Sequence, residues 1–192
     1  MARPREFDID IAVEKAMQVF WQHGYGETSL PDLLEGMEIA RGSLYKAFGS
    51  KKALFLKALA LYDKLYVQPG IDVLNDTTIK AEKRIELVFD GAIAAAQSGD
   101  RRGCLLCNSA AGLASDDEEI EAVVNDQVNR LTDAFATALK DTKAFSNAHE
   151  RALMGEAKSL TLSYVGLRIL TRSGQSANAL TQAAGQTLSR FQ

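Results

Sequence analysis

The spacing of apolar residues is the feature that most limits what this chain can fold into. Val13, Ala16, Met17 and Phe20 recur at intervals of three and four residues, which places them on one face of an α-helix. No stretch of the sequence keeps up the apolar and polar alternation that is typical of a half-buried β-strand. The pattern therefore predicts an all-α protein.

Capping residues and glycines divide the first 66 residues into helices. Ser29 can begin a helix because its hydroxyl accepts a bond from a free amide of the first turn, and Asp32 three residues later completes a capping box. Ser50 can cap a later helix in the same way. The predicted helices run from 8 or 10 to about 23, from 28 or 29 to 36 or 38, over 40–48, and over 50–66.

A change of composition follows Tyr66, where the segment QPGIDVLNDT predicts a connection between two units. We therefore expect an N-terminal domain over 1–66, which includes the start of a linking fourth helix, and a larger domain over 67–192. The second domain is predicted to contain about five helices, over 78–97, 104–114, 117–141, 147–172 and 176–191.

Composition and motifs exclude several classes of protein. Apolar residues make up 46% of the chain and charged residues 24%, which is typical of a globular domain and not of a disordered chain. No run of 18 apolar residues exists, and the first residues carry acids where a signal peptide is apolar, so a cytoplasmic chain without a membrane span is expected. No standard catalytic or phosphate-binding motif is present, and the only two histidines, His23 and His149, are too few and too far in sequence from the two cysteines to indicate a four-ligand zinc site. We expect neither enzymatic activity nor a cofactor or metal.

The net charge of -3 argues against a nucleic-acid partner until its distribution is considered. Residues 27–38 hold four acids and no base, whereas residues 39–62 hold five bases and no acid. Two short helices joined by a tight turn, the second of them basic, are suited to insertion into the DNA major groove. The alternative is that these lysines keep a helix face solvated, as most charge runs do.

The segment 7–59 closely resembles the DNA-binding domain of TetR-type transcriptional repressors. The resemblance is carried by Phe20, Gly24, Tyr25, Thr28, Ser29 and Ile39, followed by a Leu-Tyr-x-x-Phe-x-x-Lys run at Leu44, Tyr45, Phe48 and Lys51. It implies a three-helix DNA-binding domain and a helical C-terminal domain that binds a small effector and forms a homodimer. One departure is Ala40, where many relatives have a hydroxyl that caps the recognition helix.

The resemblance assigns Thr28, Tyr45 and Lys51 to phosphate contacts and Arg41, Gly42, Ser43 and Lys46 to the side that faces the bases. Donors on the exposed face of a helix suit base edges, and an N-terminal basic arm could add further contacts. The expected DNA contacts are Arg3, Arg5, Thr28, Ser29, Arg41, Gly42, Ser43, Tyr45, Lys46 and Lys51.

In relatives the last two long helices usually form the dimer interface, which corresponds here to 147–172 and 176–191. Small residues recur along the first of these and would permit close approach of a second helix: Ala148, Ala152, Gly155, Ser159, Ser163 and Gly166. The alternative is that this face packs inside one subunit. Binding as a dimer to a palindromic operator favours the first interpretation.

Cys104 and Cys107 are three residues apart and share one face of a predicted helix. They are interpreted either as a thiol switch, which senses oxidants or electrophiles, or as small apolar core residues, the commoner fate of free cysteine. A redox enzyme that uses the pair is a weaker alternative because no βαβ pattern surrounds it. Candidate residues for an apolar effector pocket are Phe89, Cys104, Cys107, Met154, Leu160, Tyr164 and Leu167, each of which could equally be core.

Overall fold

The computed structural model describes residues 7–110 and 117–191, and across these two ranges the regular elements are helices, with no strand. The all-α prediction is therefore confirmed for the described chain. The helices are α1 Ile9–His23, α2 Leu30–Met37, α3 Arg41–Phe48, α4 Lys51–Tyr62, a π-helical turn Asp63–Val67, α5 Gln68–Asn75, α6 Ala81–Gln97, α7 Leu105–Ala110, α8 Glu118–Lys140, α9 Glu150–Arg172, and α10 Ala177–Leu188 with a 3₁₀ turn Ser189–Phe191.

The predicted helix starts in the N-terminal part are confirmed by their capping bonds. Asp8 accepts from the amide of Asp10 at 2.8 Å at the start of α1. Ser29 and Asp32 form the predicted capping box, with the Asp32 carboxylate accepting from the Ser29 amide at 2.7 Å. Ser50 accepts from the Ala53 amide at 3.0 Å and so begins α4.

The predicted connection over 68–77 is wrong for most of its length. The chain passes from α4 through the π-helical turn directly into α5, which extends to Asn75. Pro69 lies in the first turn of α5, where its missing amide proton breaks no helical bond. Ile71 and Leu74 are buried and hold the helix against its neighbours. The chain turns only after Asn75, where the buried Arg84 donates to the carbonyls of Leu74 and Ile79.

In the N-terminal part, α1 packs across α4 and beside α2. The rings of Phe20 and Phe55 meet edge to face with centroids 4.8 Å apart, and the ring of Tyr25 lies 4.6 Å from that of Phe55. Gly36 lets α2 approach α1 closely, because a Cβ there would overlap the Val19 side chain. This packing fixes the position of α3, which is anchored by the buried side chains of Leu44 and Phe48.

In the C-terminal part, α8 and α9 pack along each other, with α6 and α10 beside α9. The rings of Phe89, Phe135 and Tyr164 form an aromatic centre with centroids 5.8 to 6.4 Å apart. The buried hydroxyls of Thr132 and Thr161 lie 3.0 Å apart and satisfy each other. Among the described residues, none of the helices combines the length and apolar character needed to cross a bilayer.

Candidate nucleic-acid interface

One side of the short helix α3 packs against the N-terminal core, and the other side is open to solvent. Leu44 and Phe48 are buried against the N-terminal core, and Ala47 is half-buried between them. The open side carries Arg41, Gly42, Ser43, Tyr45 and Lys46, of which Ser43 is half-buried and the other four are exposed. The structure thus brings together all the residues that were predicted to lie on the base-facing side.

Gly42 lies on this open side, and the fold does not require a glycine there. A Cβ at this position would meet no heavy atom of the chain within 4 Å, and no positive φ is present. Glycine inside a helix costs roughly 1 kcal/mol relative to alanine. Because Gly42 has no side chain, an external surface can approach the backbone of α3 closely at this position.

Tyr45 extends from α3 with 44% of its surface exposed. The guanidinium of Arg41, one helical turn earlier, lies 5.9 Å from the centre of its ring. This contact directs the two side chains along the same open face. Arg41 forms no salt bridge with the described residues, so its donors are available to a partner.

Two further predicted contacts flank α3. Ser29 is exposed at the start of α2, although its hydroxyl already bonds to Asp32 at 2.7 Å. The ammonium group of Lys51, at the start of α4, lies 4.6 Å from the centre of the Tyr25 ring. Burial lowers the pKa of Lys51, partly offset by the charges of Asp32 and Glu27. The contact with Tyr25 places Lys51 beside the first amides of α4, a position suited to a phosphate contact.

Thr28 is placed differently from the other predicted contacts. Its side chain is 1% exposed, and its hydroxyl donates to the carbonyl of Gly24 at 2.5 Å. In the free protein this hydroxyl closes the turn between α1 and α2 and does not face solvent. Arg3 and Arg5 lie outside the described residues.

Lys52, one of the five basic residues in 39–62, forms salt bridges with another part of the molecule. Its ammonium group pairs with Asp117 at 2.9 Å and Glu119 at 2.8 Å, at the start of α8. These two bonds raise the pKa of Lys52. The lysine joins α4 to α8 and is not part of the open face.

The turn between α2 and α3 is tight and lacks one of the usual caps. Glu38 adopts a left-handed conformation with φ 57°, which is uncommon for a residue other than glycine, and its carboxylate pairs with Lys15 at 2.7 Å. Ala40 occupies the N-cap of α3 and provides no side-chain bond to the first turn. The departure noted in the sequence therefore has a structural consequence, namely free amides at the start of the recognition helix.

A junction between the two parts of the chain was not anticipated from the sequence. The carbonyl of Gly103 accepts from the indole of Trp21 at 3.3 Å and also from the guanidinium of Arg168. Arg172 donates to the carbonyl of Gln22 at 3.2 Å, at the end of α1. The end of α1 is thus tied to the end of α9 through the segment that precedes α7. Long-range pairs of this kind leave no local pattern in a sequence.

The effector-pocket candidates are divided between the core and a cavity at this junction. Tyr164 lines the cavity, which also contacts Trp21 and Arg168. Met154 is half-buried in the α9 packing. The remaining candidates are buried side chains that do not line that cavity: Phe89, Cys104, Cys107, Leu160 and Leu167.

Cys104 and Cys107 are both buried free cysteines, each 8% exposed. Cys104 lies just before α7, and Cys107 lies in its first turn. A hydrogen bond from Cys107, with the charge of Arg168 nearby, lowers the pKa of Cys104 to about 6 against the opposing effect of burial. Within the described chain no group of three or more potential metal ligands is present.

An exposed helix with basic residues, held by a capped helix and a tight turn before it, defines a helix-turn-helix DNA-binding protein. Residues 12–58 match the family model described as bacterial regulatory proteins, tetR family. The chain is 30% identical over 202 residues to the HTH-type transcriptional repressor ComR of Escherichia coli, covering 97% of this chain and 90% of ComR. It is 33% identical over 144 residues to the regulator YezE of Bacillus subtilis, covering 74% of each chain.

The fold agrees with that of a solved TetR-family regulator over nearly the whole chain. A cysteine-substituted form of the TetR family transcriptional regulator CifR, solved in complex with a 26-base-pair operator, superposes with a TM-score of 0.87 at 29% identity. The match covers 99% of this chain and all of that one. This chain belongs to the TetR family of transcriptional regulators.

Proposed function

We propose that this protein is a ligand-responsive repressor that binds a palindromic operator as a homodimer and is released from it by a small-molecule effector. The proposal rests on the open face of α3, where Arg41, Lys46 and Tyr45 point away from the core. Gly42 lies on the same face, at a position where the fold does not require a glycine. The repressor names of relatives such as ComR and the operator bound to CifR support it. Binding to chromosomal DNA would place the protein in the cytoplasm.

The exposed face of α9 supports a dimer. Leu162 is 72% exposed, and Ile169 and Leu170 are also largely open, although long apolar side chains are usually covered. Gly155 and Gly166 lie along the same helix, and a Cβ at either would meet no other atom within 4 Å. These two glycines therefore do not accommodate another helix of the same subunit. A second copy of α9, with α10 beside it, would cover this face.

The dimer is tested by Leu162→Glu. We expect sedimentation velocity to show a dimer for the unmodified protein and a monomer, or a dimer at least about tenfold weaker, for the variant, because a buried charge at an interface is strongly unfavourable. Leu87→Glu, an exposed leucine on α6, is the control and should leave the dimer intact. A variant that stays dimeric at the same concentration would show that this face is not the interface.

Effector response requires that a ligand prefer one arrangement of the two recognition helices. A ligand with equal affinity for both arrangements would leave operator binding unchanged. The junction of α1, the segment 98–104 and α9 connects the effector part to the DNA-binding part through Gly103 and Arg172. A ligand that moves this junction would change the position of α1 and, through α2, that of α3.

The direct test is a gel-shift assay with the DNA that flanks the protein's own coding region. The proposal predicts a discrete complex that is competed by the same unlabelled duplex and not by an equal mass of unrelated DNA. The double variant Arg41→Ala with Lys46→Ala should lose the complex while it keeps its helical circular dichroism. A complex of equal strength with unrelated DNA would contradict operator recognition.

A second candidate function is thiol sensing, in which oxidation or alkylation of Cys104 releases DNA. It is favoured by one observation: Tyr62 and Arg168 lie beside Cys104 and stabilise its thiolate together with Cys107. A thiolate is the reactive form of cysteine. Iodoacetamide should then modify Cys104 in the native protein and reduce operator binding. If neither thiol reacts without denaturant, the thiol-sensing function is excluded in this form.

A further inference from the structure

The cavity at the junction has a volume of about 430 Å3 and is walled by both parts of the chain. Trp21 comes from α1, Tyr62 from the end of α4, and Tyr164 and Arg168 from α9. The remaining wall is formed by the π-helical turn, α5, one side of α6, and the segment that contains Asp100 and Arg102. An occupant of this cavity would touch α1 and α9 together.

Most of the wall is suited to an apolar or aromatic body. The ring of Trp21 meets those of Tyr62 and Tyr66 edge to face, with centroids 5.0 and 4.8 Å away. Leu65, Tyr66 and Leu87 line the rim and are each more than one-third exposed. Such an apolar rim around a concave site is typical of a ligand entrance.

One group in the wall is charged, buried and without a carboxylate partner among the described residues. Arg168 is 9% exposed and donates to the carbonyl of Gly103, a neutral acceptor. A guanidinium removed from water is costly unless an anion faces it. Beside it lie the phenols of Tyr62 and Tyr164, and also Cys104, whose thiolate it helps to stabilise but which does not line the cavity.

The other charges at the cavity are already paired. Arg102 lies 3.9 Å above the centre of the Trp21 ring and binds Asp100 through two nitrogens, at 2.9 and 2.8 Å. That pair is neutral as a unit. A ligand would therefore meet one net charge in the wall, the positive charge of Arg168.

From this arrangement we propose that the cavity binds an organic anion, a carboxylate with an aromatic or similarly bulky apolar body. The carboxylate would accept from Arg168, and the body would lie against Trp21, Tyr62 and Tyr66. A neutral ligand of the same shape leaves the guanidinium without an anion on the cavity side, and a cationic one is repelled by it. The inference deepens the proposed function, since it names the chemical class of the effector.

The binding test needs no DNA and uses the intrinsic fluorescence of Trp21, the one tryptophan in the sequence. The probes share one body and differ in charge: 4-phenylbutyrate, 4-phenylbutanamide and 4-phenylbutylamine. We expect the acid to bind at least about tenfold more tightly than the amide, because a charged hydrogen bond is stronger than a neutral one, and the amine to bind most weakly.

Variants test whether the preference for the acid over the amide and the amine arises in the cavity. Arg168→Met should remove the preference for the acid, whereas Arg168→Lys should keep part of it. Gly91→Leu should block all three probes, because Gly91 lies in the wall at an exposed position with open space around its Cα, and Gly91→Ala is its control. Cys104→Ser should retain the preference, which separates anion binding from thiol chemistry.

Three results would overturn the inference: equal affinity for acid and amide, an acid preference that survives Arg168→Met in a folded variant, or binding of none of the probes. Thermal unfolding followed by circular dichroism establishes that each variant is folded, and Gly91→Leu provides a test that leaves Arg168 untouched. If the unmodified protein shifts its flanking DNA but binds no acid, the ligand class is wrong and the repressor proposal stands. If it binds the acid but no DNA, the repressor proposal is wrong and the ligand class stands.

Discussion

Lys46 and Tyr45 are neighbours on α3, but we expect them to contribute differently to DNA binding. Both are exposed on the open face. An ammonium group can donate to base edges in the major groove, whereas a phenol at the side of the helix is placed for a phosphate. Their substitution should therefore give different patterns across a set of operator sequences.

We predict that Lys46→Ala weakens binding by about 1–3 kcal/mol at the preferred sequence and relaxes the preference at one base pair of each half-site. Tyr45→Phe should weaken binding to every sequence by about 1 kcal/mol through loss of one hydrogen bond. Fluorescence anisotropy with a panel of single-base operator variants measures both effects. If Lys46→Ala leaves affinity and preference unchanged, the orientation of α3 assumed here is wrong.

The ionisation of Cys104 gives a prediction on pH. The pKa of Cys104 lies near 6 in the folded chain, below that of an ordinary thiol, so the folded state binds fewer protons than the unfolded state between about pH 6 and 9. Its stabilising contribution is present above that window and is lost as the pH falls through 6. Thiolate absorbance at 240 nm should titrate with this low midpoint.

Two variants separate the causes of that shift. Cys104→Ser should remove the low-pH titration and flatten the pH dependence of stability in the same window. Cys107→Ala should move the midpoint upward, since the bond from Cys107 is the largest cause of the lowering. A midpoint above 8 in the unmodified protein would contradict both the ionised thiol and the sensing function built on it.

At the level of single residues, sequence patterns were sufficient to predict features that depend only on neighbouring residues in the chain. Ser29 and Asp32 form the capping box that their spacing predicts, and Leu44 and Phe48 are buried as the helical spacing requires. Thr28 could not be placed in this way, because its burial depends on how α1 and α2 pack. The same holds for Lys52, whose partners lie more than 60 residues away in the sequence.

The segment before α7 is the element on which the junction depends. Gly103 has φ 69°, and a Cβ at this position would lie 2.9 Å from the Arg168 carbonyl oxygen and 3.1 Å from the Arg172 Cβ. Both the backbone conformation and the close approach therefore favour glycine. A side chain here would have to displace α9.

We predict that Gly103→Ala lowers the free energy of unfolding by about 1–3 kcal/mol, through left-handed strain and the clash with α9. Gly91→Ala is the matched control: it lies in a regular helix with open space and should raise stability by up to roughly 1 kcal/mol. Urea denaturation measures both. Equal effects of the two substitutions would show that the segment is not constrained by α9.

Element boundaries could be predicted where caps mark them and not where two helices join without a break. The helices up to α3 begin and end close to the predicted residues. The connection over 68–77 was predicted from the change of composition after Tyr66. A proline in the first turn is compatible with a helix, however, and Ile71 and Leu74 bury the segment. The π-helical turn gives no pattern by which a sequence could have revealed it.

At the scale of the molecule, the distribution of charge agrees with the proposal that the N-terminal part binds DNA and the C-terminal part binds the effector. The chain carries a net charge of -3, yet four of the five bases in 39–62 are not in salt bridges among the described residues. Lys52 is the exception and joins α4 to α8. The family and its helix order could be predicted from 7–59, whereas the junction, the cavity and the charge of Arg168 inside it depend on contacts between distant segments.

In the proposed complex, α3 of each subunit enters the major groove while neighbouring groups bind phosphates. The most direct measurement is the affinity for the flanking operator DNA as a function of salt, determined by fluorescence anisotropy. If about six to ten phosphates are neutralised, affinity should fall by roughly a thousandfold or more between about 50 and 200 mM salt. Lys51→Ala should make this dependence shallower by about one phosphate contact. An affinity that does not change with salt would contradict this mode of binding.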